Sequence, residues 1–444
     1  MTLPERTESI CPVCLRPLEA LLVAEGDEVF LRKSCPEHGD FSCVVWRGLS
    51  SWESWKSSKV PLSPEAGRNA ACPRACGLCA FHGQTTCAVV LEVTSRCPLK
   101  CPVCFADAGT EAPDPPFERL VEQMRALRPR VEGAVLQFSG GEPTVRPDLL
   151  RLVEAARELE FRALQLNTNG LALAEDPDGA RRLRDAGLGW VFLQCDGLSE
   201  RSSRVLRGRD LREFRLRAVE ACARAELGVV LVPTLVRGVN EGELGDLVRF
   251  ARERFPVVRG VHIQPLSFFG RYALPPEDHR RVTLPEIMAL LEEQTGGLVR
   301  REHFQPSGCE HARCSFRGTY RVEGTTGLVP LGNAPCRCGS RSAEEGARRA
   351  MESVRRRWGA PLGDPGEKTS SRGAEDDLDR FLRLGGRETF SVSAMAFQDA
   401  WNLDLRRLRE CCIHVAAPEG RLVPFCAWNL TAVDGTPLHR RGRG

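Results

Sequence analysis

The stretch Val89-Val-Leu-Glu-Val93-Thr-Ser-Arg-Cys97-Pro-Leu-Lys-Cys101-Pro-Val-Cys104 runs from a short β-rich apolar segment straight into a loop carrying three closely spaced thiols. Five further runs of the same texture follow it, at Ala134–Phe138, Ala163–Thr168, Trp190–Gln194, Val229–Thr234 and Val261–Pro265. Between them lie segments with apolar residues at helical spacing: Phe117–Leu127, Pro147–Leu159 with Pro147 as a first-turn proline, Ala180–Ala186, Leu211–Ala225 and Glu241–Arg254. Strand alternating with helix predicts an α/β fold built on a parallel sheet with right-handed crossovers, as an open doubly wound sheet or a barrel. The pattern does not choose between the two. In either, ligands collect at the carboxyl ends of the strands, which is where Cys97, Cys101 and Cys104 fall.

Outward from this core the texture changes on both sides. Residues 1 to about 88 are rich in cysteine, glycine and proline with little helical periodicity, as in a small metal-stapled module. From about residue 301 a cysteine-rich pattern resumes, broken by a polar stretch near Gly359–Asp377 that reads as a linker. Twenty cysteines in 444 residues exceed ordinary usage. The start of the chain lacks the basic and apolar regions of a secretory signal, and the longest aliphatic run, Leu227–Val236, contains Pro233 and is too short to span a bilayer. A cytoplasmic protein without a transmembrane segment is expected, in which clustered thiols bind metal rather than form disulfides. Lys and Arg number 62 against 59 Asp and Glu, which leaves no one-signed field for nucleic acid or anionic lipid.

Three thiols in one loop are chemically informative. A four-iron cluster ordinarily takes four thiolates, and three leave one iron open to a small chelating molecule. Zinc, the alternative, favours two C-x2-C halves and a fourth ligand. After the second strand comes Ser139-Gly140-Gly141-Glu142-Pro143, whose paired glycines allow close backbone approach and whose glutamate supplies a carboxylate. Polar residues recur at the later strand ends: Gln165, Asn167, Thr168 and Asn169, then Gln194 and Asp196, then Gln264. The run Asn167–Gly170 also reads as a simple turn.

Cys11-Pro-Val-Cys14 and Cys35-Pro-Glu-His38 have the form of a rubredoxin knuckle or zinc ribbon, two halves facing one zinc or mononuclear iron ion, with His38 ahead of Cys43 as the fourth ligand. Cys72, Cys76, Cys79 and Cys87 supply four thiolates for an auxiliary [4Fe-4S] cluster or a structural zinc. Cys309, Cys314, Cys336, Cys338, Cys411, Cys412 and Cys426 suffice for one more, their grouping undetermined by spacing. His414 reads as a ligand or as hydrogen-bonded core. Cys195 and Cys222 read as buried small residues.

Taken together, Cys97–Cys104 with Phe105-Ala-Asp107, Gly140–Pro143, Thr7–Cys14, Cys35–Gly39, Cys72–Cys79 with His82, Cys411–His414 and Pro424–Asn429 resemble the radical S-adenosylmethionine (SAM) superfamily. The likeness is to the branch of methanopterin-pathway (dihydropterin) methyltransferases and tetraether lipid synthases. This resemblance implies a partial (β/α)6 TIM-like barrel over residues 89–300. It also implies a rubredoxin-like module at 1–60, an auxiliary cluster segment at 61–88 and a SPASM-like auxiliary cluster region at 301–444. It implies that Cys97, Cys101 and Cys104 hold the [4Fe-4S] cluster that cleaves SAM to a 5′-deoxyadenosyl radical. Gly140, Gly141, Glu142 and Pro143, with Thr168, Asn169, Asp196 and Gln264, are then the SAM contacts. The implied electron source is a reduced ferredoxin- or flavodoxin-type donor. The implied reaction is C-methylation of a small molecule such as a pterin, or else C–C coupling of lipid chains. A non-catalytic zinc scaffold is the reading from another class.

Overall fold

The computed structural model describes residues 3–55, 59–60, 72–109, 113–272, 276–324, 327–331, 341–358, 389–418 and 420–440. The first four strands, β1 (Glu5–Ile10), β2 (Pro17–Glu25), β3 (Glu28–Cys35) and β4 (Gly39–Arg47), pair in sequence as an antiparallel meander. A two-residue strand, β5 (Lys59–Val60), pairs with β15 (Arg341–Ser342).

The six runs read from sequence form β6 (Ala88–Thr94), β7 (Val135–Gly140), β8 (Leu164–Thr168), β9 (Trp190–Gln194), β10 (Gly228–Val232) and β12 (Val258–Pro265), with the short β11 (Thr234–Leu235) beside β12. They pair in parallel in that order. A doubly wound sheet reverses strand order at its middle, and this one does not, so the fold is a partial (β/α)6 barrel.

The helices bury the face their spacing dictates. Phe117–Leu127 buries Leu120, Met124 and Leu127, and Leu149–Glu158 buries Leu149, Leu152, Val153 and Ala156. The latter begins two residues past Pro147, which precedes the helix instead of opening its first turn.

The region beyond residue 300 flanks the barrel on both edges. On one side β16 (Thr389–Met395) runs parallel to β12, followed by antiparallel β13 (Ser315–Glu323) and β14 (Gly327–Pro330). On the other, β17 (Ile413–Ala416) runs parallel to β6, with antiparallel β18 (Leu422–Pro424) outermost. The ribbon meander docks on the segment between them: the buried Lys33 ammonium donates to the Ala400 and Trp401 carbonyls at 2.8 Å, and the Thr7 hydroxyl to Asp404 at 2.7 Å.

Inside the barrel, Ala88, Val135, Ala163, Trp190 and Val230 close the amino-terminal end of the strands. No helix among the described residues is long and apolar enough to cross a membrane.

Candidate functional site

The cysteine loop leaves β6 and opens on a cavity at the carboxyl face, lined by Cys97, Cys101 and Cys104 together with Gly140, Gly141, Glu142, Thr168, Asn169 and Gln264. Gly140 and Gly141 are required by close approach to the start of the cysteine loop. A Cβ on Gly140 would stand 2.2 Å from the Thr94 carbonyl oxygen, and one on Gly141 2.1 Å from that of Arg96. The contact lets Gly141 N–H donate to Thr94 O at 2.7 Å and Glu142 N–H to Arg96 O at 2.8 Å, which ties the second strand end to the cysteine loop.

Glu142 is 1% exposed. Its Oε1 accepts from the Thr144 N–H (3.1 Å), the Thr144 hydroxyl (2.6 Å) and the Thr168 hydroxyl (2.7 Å), and its Oε2 from the Asn169 N–H (2.7 Å). Burial raises its pKa against these hydrogen bonds. One donor on Oε2 leaves that oxygen capacity for a further one. Pro143 is buried and opens the turn Pro143–Val145 behind it. The Asn169 amide stands 4.0 Å from Cys97 Sγ.

Asp196 is placed differently from the sequence expectation. It does not line the cavity; it is fully buried behind it, pairing with Arg207 (2.6 Å) and Arg215 (3.0 Å) and accepting from Gln194 Nε2 (2.9 Å) and the Thr234 N–H (3.1 Å). Burial opposes its charge, but Arg207 and then Arg215 outweigh this and hold the carboxyl below its usual range. An acidic residue at a strand end looks the same in sequence whether it meets a ligand or two arginines.

Below the loop, the inward positions turn polar: Gln137, Asn167, Gln194, Thr234, His262 and Gln264 line the cavity, with Phe192 among them. Barrel interiors are ordinarily filled by branched aliphatic residues. His262 Nδ1 is 2.9 Å from the Ser393 hydroxyl, and burial lowers its pKa to about 4, so the ring is neutral near pH 7.

Residues 91–251 match the radical SAM superfamily, and residues 3–47 match the HMPTM N-terminal zinc ribbon domain. Over 485 aligned residues the chain is 32% identical to the 7,8-dihydro-6-hydroxymethylpterin dimethyltransferase of Methanocaldococcus jannaschii, covering 98% of this chain and 94% of that protein. The chain belongs to that family, within the radical SAM superfamily. It is also 27% identical over 183 residues to a probable GTP 3′,8-cyclase of Methanothermobacter marburgensis, covering 41% of this chain and 59% of that one. Among solved structures, Streptococcus suis SuiB bound to S-adenosylmethionine is similar with a TM-score of 0.42 and 18% identity, over 49% of each chain.

A radical SAM enzyme takes SAM and an iron–sulfur cluster, and the donor set here fits one. Cys97, Cys101 and Cys104 are the cysteines among the lining residues, three thiols with no fourth. Burial pushes the Cys97 thiol up to about 12, so a thiolate there needs a bound cation. Ligands of one tetrahedral zinc stand roughly 4 Å apart. Among the described residues two sets bring three or more ligand atoms within 4.8 Å of one another, and this loop is not one of them, which favours a larger metal group over a single ion.

One of those two sets is Cys11, Cys14, Cys35 and His38 of the ribbon. His38 Nδ1 lies 3.4 Å from Cys35 Sγ and 3.7 Å from Cys11 Sγ, whereas Cys43 is buried apart, near Arg281, Asp399 and Lys33. The other set joins Cys87 with Cys309 and Cys412. Cys87 and Cys309 have Cα atoms 7.3 Å apart, wider than the roughly 4.4–6.8 Å that disulfides span, and the third sulfur beside them suits a metal-binding trio better than a disulfide. Of the four thiols read together from spacing, Cys87 stands beside Cys309 and Cys412. Cys72 and Cys76 pack against the cluster of apolar residues around Ile10 and Phe425, with Cys79 close enough to perturb both thiols. Cys87 is placed by the pairing of β6 with β17, and its N–H donates to the Cys412 carbonyl at 2.8 Å.

The C-terminal thiols divide. Burial, then Cys426, raises the Cys411 thiol, with Cys314 contributing, and Arg407 donates to Cys314 Sγ at 3.5 Å. Adjacent Cys411 and Cys412 have different neighbours, Cys426 and Cys314 for the first and Cys87 and Cys309 for the second, as successive residues of an extended chain face opposite sides. Cys336 and Cys338 lie outside the described residues. His414 is fully buried with Nε2 3.2 Å from that of His82. Cys195 and Cys222 are buried in the apolar core.

Two arginines of the site carried no sequence signal. Arg271 donates to the Cys101 carbonyl (2.7 Å), Asp107 (3.0 Å) and the Ala108 carbonyl (3.0 Å), and its backbone pairs with Cys104. Arg207 donates to the Val103 carbonyl at 3.0 Å. Both grip the loop by its carbonyls, and an Arg 100 or more residues from a motif is indistinguishable in sequence from a surface one.

Proposed function

We propose that this protein methylates a carbon of a pterin-type heterocycle by radical SAM chemistry, with Cys97, Cys101 and Cys104 holding the catalytic [4Fe-4S] cluster. The observation that carries this is the three-thiol loop locked against Gly140-Gly141-Glu142 above a polar chamber. When bound, the cluster delivers one electron to SAM, whose S–C5′ bond breaks to give methionine and a 5′-deoxyadenosyl radical that abstracts hydrogen from carbon.

The protein's own residues position and exclude water. Glu142, pinned by Thr144, Thr168 and Asn169, offers Oε2 to the SAM amino group. Thr168, Asn169 and Gln264 line the space left for the rest of the nucleoside, while Asp196 acts from behind by fixing Arg207 and Gln194. The apolar plug at the amino-terminal end of the strands keeps solvent from the radical. We assign zinc to Cys11, Cys14, Cys35 and His38, and one or two auxiliary clusters to the remaining cysteine groups, reduced by a ferredoxin- or flavodoxin-type donor.

The relative's printed activity and the amide-lined chamber both support a polar ring over a hydrocarbon tail. Anaerobically reconstituted protein is expected to be brown with about 8–12 iron atoms, for two or three four-iron clusters. With dithionite, SAM, a folate-type methylene donor and 7,8-dihydro-6-hydroxymethylpterin it is expected to yield 5′-deoxyadenosine, methionine and a pterin heavier by methyl groups whose carbon comes from the folate-type donor. Colourless protein holding zinc alone, or pterin recovered unchanged beside 5′-deoxyadenosine, refutes the assignment.

A further inference from the structure

The chamber walls hold two glutamine side chains whose orientation is dictated by neighbours that can only give or only accept. Trp190 Nε1–H is a donor and nothing else, and it donates to Gln165 Oε1 at 3.0 Å. That turns Gln165 Nε2 toward Asn167 Oδ1, at 2.6 Å, and Asn167 Nδ2 in turn toward Gln137 Oε1, at 3.4 Å. The last amide of the relay therefore presents its NH2 group to the cavity that Gln137 lines, where among the described residues it has no acceptor.

Gln194 is set in the opposite sense. Its Nε2 is committed to the Asp196 carboxylate at 2.9 Å and to the Val232 carbonyl at 3.2 Å. Asp196 is itself ionised against Arg207 and Arg215 and can only accept. Gln194 Oε1 is left facing the cavity, again with no donor among the described residues. Phe192, on the same strand as Gln194, offers an aromatic ring to the same space.

We propose that Gln137 and Gln194 form an oriented donor–acceptor pair that selects a flat heterocycle bearing a ring carbonyl and a ring N–H. The carbonyl meets Gln137 Nε2, and the N–H meets Gln194 Oε1. Phe192 covers a face of the ring, as aromatic side chains do for nucleobases. This rests on the methylation reading above and specifies how its substrate is recognised. An amide free to flip would accept either polarity, and the two one-way partners remove that freedom. Trp190 and Asp196 are on this view positioning residues, separated from substrate by the amides they orient.

The test is equilibrium binding to anaerobically reconstituted full-length enzyme, using 7,8-dihydro-6-hydroxymethylpterin and its 4-deoxo analogue, with SAM titrated in parallel. The wild type is expected to prefer the oxo ring about ten- to a hundred-fold, since a site built around a hydrogen bond rejects the analogue that lacks it. Gln137→Met, of similar length but without a donor, is expected to lose most of that preference and keep only the part due to Gln194 Oε1, because the deoxo ring lacks the neighbouring N–H as well. Gln137→Glu, an acceptor in the same place, is expected to bind the oxo ring more weakly than Gln137→Met does. Trp190→Phe releases the relay and is expected to cut the discrimination several-fold while the iron content stays at the wild-type value.

A wild type that methylates the pterin yet binds both rings alike overturns the pair and leaves the methylation reading standing. Loss of SAM affinity in Gln137→Met with unchanged ring preference assigns that amide to the nucleoside and also overturns the pair. A wild type that neither binds nor methylates the pterin overturns the reading and the pair with it.

Discussion

Replacing Asp196 by Asn is expected to unsettle the site from behind. The carboxylate is fully buried and receives Arg207 Nε at 2.7 Å and Nη2 at 2.6 Å, Arg215 Nη2 at 3.0 Å, Gln194 Nε2 at 2.9 Å and the Thr234 N–H at 3.1 Å. Asparagine keeps the shape, removes the charge shared by two buried guanidinium groups, and points an N–H where an acceptor is needed. Breaking a buried pair from one side costs about 3–5 kcal/mol, because the remaining charge has no partner. At the two to four degrees per kcal/mol of a unit of roughly 200 residues, the size of the barrel that holds Asp196, this is a fall of about 10 °C in the barrel's thermal midpoint. Asp210→Asn is the control: Asp210 pairs with Arg212 at 2.8 Å on the surface, where screening and side-chain entropy leave a shift of about 2 °C or less. Differential scanning calorimetry of the three reconstituted proteins distinguishes the cases. An Asp196→Asn midpoint within about 2 °C of wild type would show that Arg207 and Arg215 do not depend on this carboxylate, and the account of Gln194 would fall with it.

Three further outcomes follow from other parts of the molecule. Arg271→Met removes three hydrogen bonds to the cysteine loop, so reconstituted protein should bind about four fewer iron atoms or release them faster to a chelator, read by iron assay against the wild type. Cys11→Ala should abolish zinc binding and, because Thr7 and Lys33 anchor the ribbon to residues 400–404, raise protease sensitivity at both places; cleavage confined to the ribbon would contradict the docking. His262, lowered by burial to about 4 from an ordinary value near 6.5, binds a proton in the unfolded state before the folded one does. Its contribution is therefore intact above pH 6.5 and lost as pH falls toward 4, about 2 kcal/mol between pH 7 and pH 5. Urea midpoints should show that loss in the wild type and a smaller one in His262→Gln.

The barrel strands and their helices were legible because each carries a local period: Trp190–Gln194 coincides with β9, and Phe117–Leu127 with the first barrel helix. The flanking strands were not, since β16 and β17 are fixed by pairing with residues more than a hundred positions away and have no signature of their own. The same long-range pairing brings Cys87 beside Cys309 and Cys412, which spacing alone did not group. The cysteine loop and Gly140–Glu142 were found by residue type and spacing. Their mutual locking was not, because a glycine pair reads alike whether it approaches a ligand or another loop. The inward polarity of the barrel was legible only in part: Asn167, Gln194 and Gln264 stand out as polar strand ends, whereas Gln137 and His262 look like ordinary alternating strand positions until the side that faces the cavity is known.

That polarity bears on which substrate the chamber can accept. An alkyl tail laid along it would cover Gln137 Nε2 and Gln194 Oε1 without supplying either a hydrogen-bond partner, at about 1–3 kcal/mol apiece. Together they would weaken binding by about thirty- to twenty-five-thousand-fold relative to a ligand that satisfies both. Neither amide can turn away to relieve the cost, because Trp190 holds one through Gln165 and Asn167, and Asp196 holds the other. Two groups outside the cavity therefore set what it excludes, and a change at Trp190 should relax selectivity toward apolar ligands before it alters anything the substrate touches.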